Sequence, residues 1–106
     1  MEDISALLET AIAHHQAGRL ADAEKLYRRI LNADPNCVNA WNLMGLMASQ
    51  LNKHDVALQC LQNALQFEPA SAEIHYNIGA AYQGLKRFDD AVDSYRRAIQ
   101  IDPIHA

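Results

Sequence analysis

Three prolines, Pro35, Pro69 and Pro103, fall 34 residues apart, and each follows an acidic residue (Asp34, Glu68 and Asp102). A fixed period of this length marks one small structural unit copied in tandem. Other columns keep the same step: Ala23, Ala57 and Ala91; Tyr27, Leu61 and Tyr95; Ala11, Gly45 and Gly79; Leu31, Leu65 and Ile99. Residue size matches in column after column, so the chain is an array of three units.

Each unit divides into two amphipathic helices. In the middle unit Val38, Trp41, Met44, Gly45, Ala48 and Leu51 recur at steps of three and four, the stripe of a helix with one buried face. Residues 50 to 54 break that pattern, which puts His54 in a loop. A second stripe runs through Val56, Ala57, Cys60, Leu61, Ala64, Leu65 and Phe67. It stops before Glu68-Pro69, because a residue preceding proline is pushed away from helical angles. Asn36, Asp55 and Ser71 are expected near helix starts, where a short polar side chain caps free amides. Asp89 and Asp90 suit the positive end of the last helix.

Small residues show how the helices meet. Gly45 and Gly79 each cost a helix roughly 1 kcal/mol relative to alanine, so close approach of a second helix must compensate. Ala57 and Ala91 answer from that second helix, and Trp41, Tyr82 and Tyr95 fill the gaps beside them. The expected fold is all-α: an α-solenoid of three stacked antiparallel helix pairs, forming a single domain over 1–106 with units near 4–37, 38–71 and 72–105.

Composition removes several functions. Nine basic residues against 13 acidic ones leave a net charge of -4, whereas nucleic-acid binding rests on neutralising phosphates with Lys and Arg. No apolar run approaches the ~18 residues that span a bilayer, and Met1-Glu2-Asp3 is acidic where a secretory leader is basic. A cytoplasmic protein, with neither nucleic acid nor membrane as partner, is the expectation. Cys37 and Cys60 lie far apart without paired histidines, so no zinc site is implied. His14 and His15, adjacent on a helix, diverge by about 100° and cannot share a metal. The serines have no base and orienting group in sequence reach, so no catalytic residue and no cofactor is expected. Charge is also uneven: residues 38–71 hold only Lys53, Asp55 and Glu68, which makes the middle unit the one best suited to meet something other than water.

The pattern resembles the tetratricopeptide repeat, a 34-residue unit that favours Trp, Leu, Gly, Tyr, Ala, an aromatic residue, Ala and Pro at eight places. The middle unit supplies Trp41, Met44, Gly45, Ala48, Ala57, Leu61, Ala64 and Pro69. The third supplies His75, Ile78, Gly79, Tyr82, Ala91, Tyr95, Ala98 and Pro103. The first departs more, with Thr10 and His14 where bulky apolar residues are usual, as befits an outer unit.

The resemblance implies a protein-interaction module whose partner lies in a concave groove lined by the first helix of each unit. Carried onto this chain, the groove residues are Ser5, Leu8, Ile12 and His15 from the first unit; Asn39, Asn42, Leu46 and Ser49 from the second; and Glu73, Tyr76, Asn77, Ala80 and Gln83 from the third. Leu8, Ile12 and Leu46 would form an exposed apolar strip, and the amides around them both donate and accept, as an extended peptide backbone requires. Two specialised functions of the family fit poorly. A Lys/Asn/Arg clamp for acidic tails would need cations where Leu8, Ile12, Leu43 and Glu73 stand, and an asparagine ladder finds only Asn77. Many such arrays close with an extra helix; here Tyr95, Ile99 and Ile101 are left short of a neighbour. Two alternatives follow from that: a scaffold that homo-oligomerises through its uncapped end units, or a targeting arm cut from a larger protein such as a glycosyltransferase.

Overall fold

The structure, a computed structural model, describes residues 3–103. Six helices follow one another: α1 (Ile4–Gln16), α2 (Leu20–Ala33), α3 (Val38–Gln50), α4 (His54–Phe67), α5 (Ala72–Gly84) and α6 (Phe88–Ile101). They pack as the pairs α1/α2, α3/α4 and α5/α6; α2 then meets α3, α4 meets α5, and α3 touches α5. This is the expected solenoid of three stacked antiparallel pairs.

The turn inside each unit is the same turn three times. Residues Gly18, Asn52 and Lys86 take left-handed angles, with φ of 81°, 60° and 61°. Each donates its amide to the carbonyl three residues back, on His15, Ser49 and Gln83, at 3.1, 3.0 and 3.0 Å. The next amide, of Arg19, Lys53 or Arg87, reaches the carbonyl five residues back, on His14, Ala48 or Tyr82, at 2.9, 2.8 and 2.9 Å. Both bonds satisfy carbonyls that a helix end would otherwise leave open. Glycine takes a left-handed angle freely and asparagine tolerates it; lysine carries a steric cost. Lys86→Gly is therefore expected to stabilise the chain by up to about 1 kcal/mol, read as a higher urea midpoint at constant slope.

Helix starts differ from unit to unit. Asp3 accepts from the Ala6 amide at 3.2 Å, and Ser71 accepts from the Ile74 amide at 3.3 Å. Asn36 does not cap α3: the residue before that helix is Cys37, which makes no side-chain cap bond, and Asp34 Oδ1 instead takes the Asn36 amide at 3.2 Å. The turn at Pro35 thus sets Asn36 one residue too early to cap.

The core is two joined clusters. Tyr27, Ile30, Leu31, Ala40, Met44, Met47 and Cys60 build the first; Leu61, Ala64, Ile74, Ile78 and Ala81 build the second. Trp41 packs against both. Its Nε1 also donates to the Pro35 carbonyl at 2.8 Å, and one period later His75 Nε2 bonds the Pro69 carbonyl at 2.9 Å. The same place in two units thus ties a first helix to the proline turn before it. Burial pushes the Cys60 thiol up, outweighing the opposite pull of Arg28, so the thiol packs as a small apolar group.

Gly45 and Gly79 are tight points, and the nearest atoms belong to side chains of the second helix. A Cβ at Gly45 would lie 2.7 Å from Leu61 Cγ and 3.2 Å from the Ala57 carbonyl; one at Gly79 would lie 2.7 Å from the Tyr95 ring. His54 is not in a loop. It opens α4, and its ring lies against Gly84 of the next unit, with Nδ1 buried and without a partner among the described residues.

Candidate functional site

The first helices α1, α3 and α5 line up side by side and are joined by side-chain hydrogen bonds. His15 Nε2 meets Gln50 Oε1 at 2.8 Å across α1 and α3. An amide oxygen only accepts, so Nε2 carries the proton and Nδ1 accepts from the Tyr27 hydroxyl at 3.1 Å. Across α3 and α5, Asn42 Nδ2 donates to Glu73 Oε1 at 3.2 Å, and Asn77 Nδ2 donates to Asn42 Oδ1 at 3.1 Å. In the last unit the Tyr95 hydroxyl donates to Gln83 Oε1 at 2.8 Å. His15 and Gln83, one at the same place in each outer unit, therefore both hold a second-helix tyrosine. The middle unit has Ser49 and Leu61 there and lacks the bond's hydroxyl partner. Burial raises the Tyr27 and Tyr95 phenols, and Tyr76 adds to the effect at Tyr95. Both therefore stay neutral donors at ordinary pH.

These contacts sort the residues expected in the groove. Ser5, Asn39, Glu73, Tyr76 and Gln83 are exposed, while Leu8, Ile12, His15, Leu46, Ser49, Asn77 and Ala80 are half-buried. Two expectations need correction. Asn42 is only 7% exposed, and its amide is committed to Glu73 and Asn77. It is a bracket between units, because α5 leans over that place on α3. The strip of Leu8, Ile12 and Leu46 is half-buried and not fully open, and Leu8 packs on the first core cluster.

The charge of this layer is one-sided. Helices α1, α3 and α5 contain no Lys or Arg, and their carboxylates are Glu9 and Glu73. At the far end the layer opens into a cleft of about 810 Å³ between α5 and α6, lined by Ala72, Glu73, Tyr76, Tyr95, Ala98, Ile99 and Asp102. Tyr76 is 57% exposed there, with its ring 5.4 Å from that of Tyr95. The cleft draws Glu73 and Tyr76 together with residues of α6 that groove reasoning leaves out. The period held the signal: Tyr76 occupies the place of Asn42, which the next unit covers. Among the described residues, no helix is long and apolar enough to cross a membrane.

Comparison with known proteins agrees with this geometry. Models of the tetratricopeptide repeat match residues 4–47 and 72–105, and a TPR repeat model matches 45–86. The human protein O-mannosyl-transferase TMTC1 is 29% identical over 93 residues, which is 84% of this chain and 10% of that protein. An O-GlcNAc transferase mutant from Thermobaculum terrenum superposes with a TM-score of 0.90 at 26% identity, over 94% of this chain and 19% of the other. The first TPR of Spaghetti (RPAP3), bound to the HSP90 peptide SRMEEVD, gives a TM-score of 0.91 at 21% identity, over 94% and 79%. The chain thus spans about a tenth of the TMTC1 relative's length. Three matched repeats, six helices and one recurring turn make this chain a member of the tetratricopeptide repeat family.

Proposed function

We propose that the chain is a non-enzymatic binding module that takes a peptide or helix of a partner protein along the layer formed by α1, α3 and α5. The observation that carries this reading is the composition of that layer: half-buried Leu8, Ile12 and Leu46 beside Ser5, Asn39, Ser49 and Asn77, with no cation. Apolar side chains of a partner gain by covering the strip, and its backbone gains hydrogen bonds worth about 0.5 to 1.5 kcal/mol each. The Spaghetti domain shares the fold and holds a peptide with two glutamates and an aspartate. Here Glu9 and Glu73 would repel such a ligand, so the partner segment is neutral or basic. A cytoplasmic setting belongs to the same reading and suits the free thiols of Cys37 and Cys60.

The test is selection from a random peptide library, followed by fluorescence anisotropy on the enriched sequences. Dissociation constants in the micromolar range, about -8 kcal/mol, are expected. Leu46→Arg and Ile12→Arg should each weaken binding at least about tenfold, with helical circular dichroism unchanged. Enriched peptides rich in Asp and Glu, or peptides indifferent to both substitutions, would refute the assignment.

A second reading places this module as the recognition arm of a longer protein. It is supported by the small share of two relatives that the chain matches, 10% of human TMTC1 and 19% of the T. terrenum transferase.

A further inference from the structure

The second helix of the middle unit carries an apolar stripe that the next unit covers. On α4, Leu58, Leu61 and Leu65 pack with Ile74, Ile78 and Ala81 of α5, and His54 abuts Gly84. One period later the same places on α6 are Phe88, Val92, Tyr95 and Ile99. Among the described residues nothing covers three of them, Phe88 at 59% exposed, Val92 at 45% and Ile99 at 45%, while Tyr95 is half-buried beside Gly79 and Tyr76. Steps of four, three and four along this stripe are those of a helix that packs knobs into holes against another helix.

We propose that this face binds the same face of a second copy, giving a two-fold dimer in which the two α6 helices run antiparallel. Charge on the edge of the stripe selects this occupant. Asp89 and Arg96 stand seven residues apart on the flank away from the buried Ala91 and Ala98. The neighbouring Asp90 is already paired with Arg87 at 2.8 Å. An antiparallel pair sets Asp89 of each copy on the same flank as Arg96 of the other, whereas a parallel pair would turn that flank toward the Ala91 and Ala98 side and leave both charges without a partner. With Val92 facing Tyr95 of the second copy, Phe88 reaches Ile99, about 16 Å along the helix at 1.5 Å per residue. That places Phe88 of each copy in the 810 Å³ cleft of the other.

Head-to-tail stacking fits less well. The face that α1 would offer is Ala6, Thr10 and Ala13, at the places where α3 carries Ala40, Met44 and Met47 and α5 carries Ile74, Ile78 and Ala81. Those three residues are too small to fill the cleft, and the Thr10 hydroxyl is bonded back to the Ala6 carbonyl at 3.0 Å. The contact is therefore isologous and closes at two copies.

Sedimentation velocity on the whole chain, from low micromolar to near millimolar, tests this. The mass should rise from 11.8 kDa to twice that value. Phe88→Arg and Ile99→Arg should hold the chain at the monomer mass with unchanged circular dichroism. Asp89→Arg alone and Arg96→Asp alone should each weaken the dimer by about tenfold, and the double variant should recover it. A chain that stays monomeric at every concentration overturns the proposal and leaves the face to a helix of another protein. A dimer that survives Phe88→Arg, or a double variant that does not recover, overturns it as well.

Discussion

Trp41→Ala is expected to cost about 3 to 5 kcal/mol of stability, toward the lower bound because the ring is half-buried. Trp41 is the side chain that packs against both core clusters, so its removal opens a gap where the two clusters join in the middle unit. It also removes the donor that bonds the exposed Pro35 carbonyl at 2.8 Å and ties α3 to the proline turn. At roughly 0.05 to 0.15 kcal/mol per residue the whole chain holds about 5 to 15 kcal/mol, so this one change removes a large share. The melting temperature followed at 222 nm should fall by about 12 °C or more. Trp41→Phe separates the causes: it keeps most of the packing and loses the hydrogen bond, for about 0.5 to 1.5 kcal/mol. A melt of Trp41→Ala that moves by less than about 4 °C would mean that the two clusters stand independently.

What the residues reveal unaided follows the range of the forces involved. Helix faces and the need for close approach at the glycines repeat within each unit, so one period exposes them; the columns point Gly45 and Gly79 at Ala57 and Ala91, whereas the nearest neighbours are the larger Leu61 and Tyr95. The in-unit turn is legible at Gly18 and obscured at Lys86, where an ordinary surface residue takes the same left-handed angle. Contacts between units are harder, since they depend on how far each pair rotates on the last. His54 sits in a polar run that reads as loop, yet the ring is covered by Gly84, thirty residues away in the next unit. Asn42 reads as an open amide because nothing local hides it; Glu73 and Asn77 do so from α5. The end cleft is half-visible for the same reason: Tyr95 and Ile99 lack a neighbour in the pattern, but their company with Tyr76 and Glu73 needs the packed pair.

The packing of Gly45 against Leu61 yields the other large effect, and a double-mutant cycle isolates it. Leu61 is fully buried, so Leu61→Ala should cost about 2 to 5 kcal/mol through lost burial and the cavity left behind. Gly45→Ala alone should also destabilise, although alanine is the better helix former by roughly 1 kcal/mol. The added Cβ would stand 2.7 Å from Leu61 Cγ and 3.0 Å from Cδ2, and the Ala57 carbonyl at 3.2 Å closes the remaining escape. Overpacking of this kind costs about 1 to 3 kcal/mol, which exceeds the propensity gain in all but its mildest case. In the Leu61→Ala background the clash with Cγ and Cδ2 is gone, and part of the cavity lets the new methyl ease away from the Ala57 carbonyl. There Gly45→Ala should become stabilising, with a coupling of about 1 to 3 kcal/mol between the two sites. Urea unfolding of the four chains measures it. Additive costs would mean that α3 and α4 slide apart freely, and the glycine would then owe its place to something other than this contact.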